Sequence, residues 1–316
     1  MKYAVKKIFT MVLTLLLISF CVFLAFNVIP GDPATAKLGT QATPEKVAAL
    51  REQMGLNQPL LVRYWQWLSG AIVGDFGNSY AYHMSVTQLI GSKLPITLSL
   101  TLMAFILMTL IAIPLGIYIA KHEGGRVDRT ISAVNQAIMA IPPFFSGILI
   151  TLLFGLVLHW FTPGAFVGFE KSFFGCLAYL FFPALAIALP KAAMTVKLLR
   201  SSLLSESKKD YVRTAYSRGN STSGVLYGHV LKNAMISVTT FLAMTLTDMV
   251  AGSVVMEQVF SVPGIGRILI NSISGRDYPV TMAIIVLLAF LVIVVNLLSD
   301  LLIHILDPRI RGVVSK

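Results

Sequence analysis

Charge is scarce in this sequence. Charged residues make up 12% of the 316, against 56% hydrophobic, where soluble domains carry about 25% and about 45–50%. Mean hydropathy is +0.79. That balance excludes a disordered chain, which is poor in apolar residues and rich in charge, and it exceeds what one soluble core absorbs. Cysteine is scarce too: Cys21 and Cys176 each sit in an apolar run, so there is no disulfide framework and no Cys-x-x-Cys. The dipeptide Gly-Lys never occurs, so the phosphate-cradling G-x-x-x-x-G-K-[ST] loop is absent. No H-E-x-x-H helix and no G-x-S-x-G elbow is present, and the five histidines stand singly, without metal-ligand spacing. An enzyme reading is left without its parts, and no metal set is assigned.

What the chain has in quantity is long apolar runs. A hydrocarbon core of about 30 Å takes about 20 apolar residues per helix, and residues 8–29, 94–120, 131–158, 173–189, 234–256 and 280–302 qualify. None alternates as a barrel strand does, so each is a helix with its backbone groups satisfied internally. The first run follows Lys2, Lys6 and Lys7, but it is longer than a signal-peptide core and no small-residue cleavage site follows, so it reads as an uncleaved span. Most of the 25 basic residues fall on one side if the N-terminus is inside, which predicts both ends cytoplasmic. The net charge of +11 then reflects this bias and attraction to anionic lipid, not a nucleic-acid partner. The fold class is an all-α membrane protein with six transmembrane helices.

Two hydrophilic segments are too long to be mere connectors. Residues 30–93 lie outside. Thr43 as N-cap, Pro44 at the first helical position and Glu45 near the positive helix end predict a helix there, and Gly55 predicts its stop. Tyr64, Trp65, Trp67 and Leu68 form an amphipathic patch suited to the membrane interface. The segment reads as a cap on the bilayer, as a docking surface for an external partner, or as both. Residues 190–232 lie inside, with eight basic residues in a helix–turn–helix pattern broken at Gly219 and the following Asn-Ser-Thr-Ser-Gly.

Polar residues inside the spans are few. Asp248, in the fifth run, costs about 2.5–3.5 kcal/mol at a helix centre on insertion scales. It reads either as a translocation-path group or as a structural carboxylate paired with Thr245, Thr247 or a partner subunit. Asn135, Gln136 and Asn296 suit hydrogen bonds between helices. Pro114, Pro142 and Pro143 interrupt the second and third runs, and Ala251, Gly252 and Ser253 suit close helix packing.

The stretch DYVRTAYSRG at 210–219 resembles the coupling-loop motif of ABC-importer permeases, in the dipeptide/oligopeptide/nickel branch. Further stretches resemble that branch in order along the chain: PGDP at 30–33, REQMGLNQP at 51–59, GDFGNS at 74–79, LPITL at 94–98, VMEQVFSVPGIGR at 255–267, RDYP at 276–279 and DPR at 307–309. The resemblance is to the PGDP-containing permease type of the branch and covers nearly the whole chain. It departs at residues 220–224, where a basic helix-forming run is usual and a looser loop is expected here, and at Asp248, where a small or apolar residue is usual.

The resemblance implies a permease subunit in the plasma (inner) membrane of a bacterium or archaeon. It implies helix 1 at 1–29, an extracytoplasmic region at 30–93, a permease domain at 94–306 with its coupling loop at about 190–232, and a cytoplasmic tail at 307–316. A second homologous permease would complete the path as a heterodimer. Two cytoplasmic ABC ATPases would dock on the loop and use ATP and Mg, and this chain would bind no cofactor. An extracytoplasmic solute-binding protein would deliver peptide or nickel, free or chelated. Asp210, Tyr211, Arg213, Thr214, Ala215 and Gly219 would form the coupling element, with Ala215 permitting close approach to the ATPase and Gly219 making the turn. If Asp248 lines the path it favours a cationic cargo. A non-transporting scaffold or assembly subunit also accounts for the spans, but gives no reason for the coupling motif.

Overall fold

The computed structural model describes residues 2–28 and 32–306. Residues 30 and 31 of the PGDP stretch, the DPR at 307–309 and the tail to 316 lie outside the described residues. The helices run in the order α1 (Lys2–Val28), α2 (Pro33–Leu38), α3 (Pro44–Gln53), α4 (Leu60–Ile72), α5 (Val86–Lys121), α6 (Arg126–Ala140) and α7 (Pro143–Ile150). They continue as α8 (Phe173–Ser207), α9 (Asp210–Ser217), α10 (Thr222–Val225), α11 (Leu231–Val259), α12 (Ile265–Ser274) and α13 (Tyr278–Leu306). Among the described residues, five helical stretches are long and apolar enough to cross a membrane: Lys7–Val28, Val86–Lys121, Phe173–Ser207, Thr222–Val259 and Tyr278–Asp300.

The third expected span is not one straight helix. It is the pair α6 and α7, extended by a π-helical turn at Thr151–Val157 and bent by 105°. The cause is local. Proline disfavours the helical region for the residue before it. Ile141 accordingly takes φ −78°, ψ 122°, and Pro142, itself followed by Pro143, takes φ −58°, ψ 140°. Two successive extended residues end one helix, and Pro143 opens the next at the position where its missing N–H costs nothing. Pro114, Pro183 and Pro190, by contrast, sit inside helices that continue past them. The fourth span therefore does not stop at residue 189; α8 carries on to Ser207, and the segment after it is shorter than residues 190–232.

The chain forms two compact units, one of residues up to Thr97 with Pro263–Ile293 and one of Leu98–Val262 with residues from Val294 onward. In the first unit, α3 has the expected start and stop: Thr43 accepts from Lys46 N at 3.4 Å, Pro44 opens the helix, and Gly55 takes φ +66° beyond its end. The face of α4 carrying Tyr64 packs on α1. The Tyr64 ring meets Phe20 and Phe23 edge-on, and its hydroxyl lies 2.8 Å from Ser19 Oγ. Leu61, Val62, Trp65 and Ile72 on α4 stay exposed, as an interfacial helix requires. The core of this unit joins Val86, Leu89 and Ile90 of α5 to Ile265 and Ile268 of α12 and Val280, Ala283 and Ile284 of α13. Asp277, fully buried, fastens the preceding loop by accepting from Ser79 Oγ and from Ala81 N.

In the second unit α8 is the most enclosed helix. Its alanines 184, 186, 188, 192 and 193 are buried, and small side chains let neighbouring helices approach closely. Gly116 lies against Leu199, and Gly147 against Met256 and Phe260, so closely that an added methyl would crowd them. Ser146 Oγ donates to Ala186 O across α7 and α8. Gly252 is different from expectation: nothing lies within 4 Å of where its side chain would be, and Ala251 is exposed. Of that trio only Ser253 packs inward.

Candidate functional site

The predicted coupling motif folds as α9 and its C-terminal turn. Asp210 opens the helix beside its positive end. The stop is set by Gly219 at φ +80°, a left-handed conformation that favours glycine. Gly219 N donates to Tyr216 O, and Asn220 N to Ala215 O, the paired bonds of a Schellman ending. Asn220 Nδ2 adds a bond to Ala215 O at 3.0 Å. Ser221 then caps α10 by accepting from Gly224 N at 3.2 Å. Residues 220–224, where a looser loop was expected, are thus a compact cap-to-cap turn.

Burial divides the motif. Val212 and Ala215 are buried within this chain, while Asp210, Arg213, Thr214, Tyr216, Ser217 and Arg218 are exposed. Ala215 was expected to face an ATPase; its small side chain instead seats α9 on its own fold, and the outward face is polar and basic. Glu206 fastens α9 to the end of α8, accepting from Tyr211 Oη at 2.9 Å and pairing with Lys209 Nζ. Burial, the largest influence on it, pushes the Tyr211 hydroxyl above its ordinary range, so it stays protonated as the donor in that bond. Gly219 allows a direct check. No neighbour crowds its missing side chain, so only backbone strain opposes substitution. Gly219→Val should destabilise the turn by roughly 1–2 kcal/mol, whereas Gly219→Asn, which tolerates this conformation, should be near neutral. Thermal melts of the purified complex test this; equal melting of the two variants would sink it.

The same helix α8 carries a second polar group. Lys191 Nζ lies 2.9 Å from Asp248 Oδ2 on α11, a salt bridge whose Asp side chain is 64% exposed. Asp248 thus pairs with neither Thr245, which bonds Phe241 O, nor Thr247, which donates to Asn296 Oδ1 at 2.9 Å. The pair is neutral overall, so Asp248 presents no unmatched negative charge to a cationic cargo. On α11 the exposed residues Ser237, Met244, Asp248, Ala251, Val255 and Gln258 recur at spacings of three, four and seven, which is one helix face. Such a mixed polar face is costly against lipid and suits water or a protein partner.

A third polar contact is buried. Asp128 on α6, 3% exposed, accepts from Arg200 Nε and Nη2 on α8, both at 2.7 Å, and from Gly124 N at 2.9 Å. In the sequence Lys191 and Arg200 stand out only as two of the basic residues of 190–232, and Asp128 and Glu206 carry no motif. A signal existed for the α8 residues. Residues 191–207 contain no glycine, and Lys191, Met194, Lys197 and Ser201 fall at helical spacing, so the run reads as continued helix once Pro190 is discounted as a stop.

Two family descriptions match this chain. That of the binding-protein-dependent transport system inner membrane component matches residues 112–312, and that of the N-terminal part of such membrane components matches residues 1–101. The oligopeptide transport system permease protein AppB of Bacillus subtilis is 35% identical over 312 residues, 98% of this chain and 99% of that one. The glutathione transport system permease protein GsiC of Salmonella choleraesuis is 33% identical over 311 residues, again 98% and 99%. The probable peptide ABC transporter permease protein y4tP of Sinorhizobium fredii is 32% identical over 309 residues, 98% and 99%. Among solved structures, the methionine ABC transporter MetNI in inward-facing conformation aligns with a TM-score of 0.57, covering 70% of this chain and 97% of that one at 17% identity, a likeness of fold alone.

Proposed function

The chain belongs to the binding-protein-dependent transport system inner membrane components, and from that premise we propose that it is the permease subunit of an ATP-driven peptide importer. It pairs with a second homologous permease to enclose the path. Two cytoplasmic ABC ATPases, which bind ATP and Mg, dock on the exposed face of α9 through Arg213, Thr214 and their neighbours. An extracytoplasmic solute-binding protein delivers peptide to the cap formed by residues 30–93, and residues 94–306 form the permease domain. The membrane is the inner membrane of a bacterium or archaeon.

One observation carries this reading: α8 runs without a break from the coupling element to the Lys191–Asp248 pair. Lys191 lies about 24 Å along the helix axis from Ser207 at 1.5 Å per residue. Glu206 ties α9 to the end of that helix through Tyr211. A displacement of α9 by closing ATPases therefore moves α8 as a lever, and the polar face of α8 and α11 moves with it. Rigid-body rocking of this kind alternates access to a path. Peptide is favoured over nickel because several relatives carry peptide or glutathione names and because Lys191 neutralises the carboxylate that would draw a cation.

The test is uptake in a strain lacking the gene and in the same strain with it restored, offering labelled tripeptide, glutathione and nickel separately. Loss and recovery of tripeptide or glutathione uptake is expected. Loss of nickel uptake with peptide uptake intact would overturn the cargo, and no loss of any would favour a scaffold.

A further inference from the structure

A cavity of about 660 Å³ opens in the first unit, where the end of α1 meets α3, α4 and the start of α13. Its volume falls within the roughly 300–1,000 Å³ usual for small-molecule sites. Its charged lining residues are Asp32, Arg51 and Arg63, one acid against two bases. The acid is already occupied: its oxygens accept from Ala34 N and Thr35 Oγ1, and Arg51 Nε lies 3.6 Å away. Arg63 donates from Nη1 to a neutral acceptor, Asn27 Oδ1, at 2.9 Å, and sits over the Phe23 ring. Burial holds its guanidinium below the ordinary value, the sign of a cation taken from water without full compensation.

Two further polar side chains line the same cavity, Trp67 and Tyr278. Their Nε1 and Oη atoms are enclosed behind that lining, with no hydrogen-bond partner among the described residues. Tyr80 lines it too, and its hydroxyl, pushed up to about 12 by burial and then by Asp277, stays protonated. The net charge of the lining is positive. Water can satisfy an N–H or O–H, but it does not offset a guanidinium's charge. The remaining lining is apolar, with Phe26, Met54, Leu56 and Met282, so the fitting anion carries an apolar body. The exposed face of α4, with Leu61, Trp65 and Ile72, sets this cavity at a membrane surface, where phosphate groups bearing acyl chains are the abundant anions.

We propose that this cavity binds the phosphate of an anionic phospholipid, with Arg63 and Arg51 meeting the charge and the phenylalanine and methionine side chains lining the chains' first methylenes. The site is independent of the cargo, so it stands or falls apart from the transport reading. Anchoring a lipid there ties the cap to the end of the first span.

The experiment uses the assembled transporter, purified in mild detergent and shown intact by its elution, then exposed to phosphatidylglycerol or phosphatidylcholine and weighed by native mass spectrometry. The wild type should retain phosphatidylglycerol in preference to phosphatidylcholine. Arg63→Gln should lower that retention about tenfold, the loss of one charge-assisted contact. Arg63→Lys should keep most of it. Equal retention of the two lipids, or equal retention by wild type and Arg63→Gln, would overturn the proposal. Displacement of the lipid by millimolar inorganic phosphate, with phosphate itself retained, would assign the site to the free anion and overturn the lipid as its source.

Discussion

Arg200→Ala is expected to be among the most damaging single substitutions in the chain. Asp128 is 3% exposed and its carboxylate takes both guanidinium nitrogens at 2.7 Å. Removing one partner of a buried pair strands the other charge, which costs about 3–5 kcal/mol. Arg200 keeps 28% of its side chain exposed, so water reaches the vacated place, and about 2–3 kcal/mol is the expected loss. Gly124 N still donates to Asp128 and offsets a little more. The loss should show as a lower melting temperature and lower yield of the assembled complex. Arg200→Lys should recover only part of it, because a point charge cannot make the two-pronged contact. The reciprocal change Asp128→Asn should cost less, since it leaves the exposed partner charged rather than the buried one. A complex carrying Arg200→Ala that melts with the wild type would show the pair to be dispensable.

The second large effect is expected at Lys191 and Asp248. An unmatched charge in a span costs about 2.5–3.5 kcal/mol on insertion scales, so Lys191→Ala and Asp248→Ala should each reduce assembly. The exchange Lys191→Asp with Asp248→Lys restores a neutral pair and should restore yield, with a coupling energy of roughly 0.5–3 kcal/mol between the two positions. Transport separates a structural pair from one on the path. If α8 transmits motion to a path at this face, the assembled charge-swap complex should import peptide at least tenfold more slowly than wild type at equal protein level, because a zwitterionic cargo meets reversed charges. Asp248→Asn is the milder probe. Unchanged peptide uptake in that variant, with protein levels matched, would remove the pair from the path and leave it a helix-to-helix tie.

Much of the architecture is legible locally. Apolar runs of about 20 residues mark spans because the bilayer demands that length and composition. The cap helix α3 is legible in Thr43, Pro44 and Gly55, and α9 ends at Gly219, because caps and left-handed glycines are properties of a few neighbouring residues. The bend at Ile141 and Pro142 follows from two adjacent prolines, although its size, 105°, exceeds the kink that one proline suggests. Proline misleads at Pro190, where a residue that ends isolated helices sits inside α8. In a membrane bundle, neighbouring groups satisfy what the ring displaces.

The sequence by itself determined the class of this protein, a multi-span helical membrane subunit, and the stop at Gly219 that ends α9. Those conclusions rest on hydropathy, helical period and turn chemistry, all read within a window of residues. The tertiary structure decided which charges meet: Lys191 with Asp248 across 57 positions and Arg200 with Asp128 across 72. It also decided that Ala215 faces inward and that Arg51 and Arg63 share a cavity. Each depends on the rotation and register of helices that are distant in sequence, and a helix's hydrophobic period does not state which residue of another helix stands opposite its own.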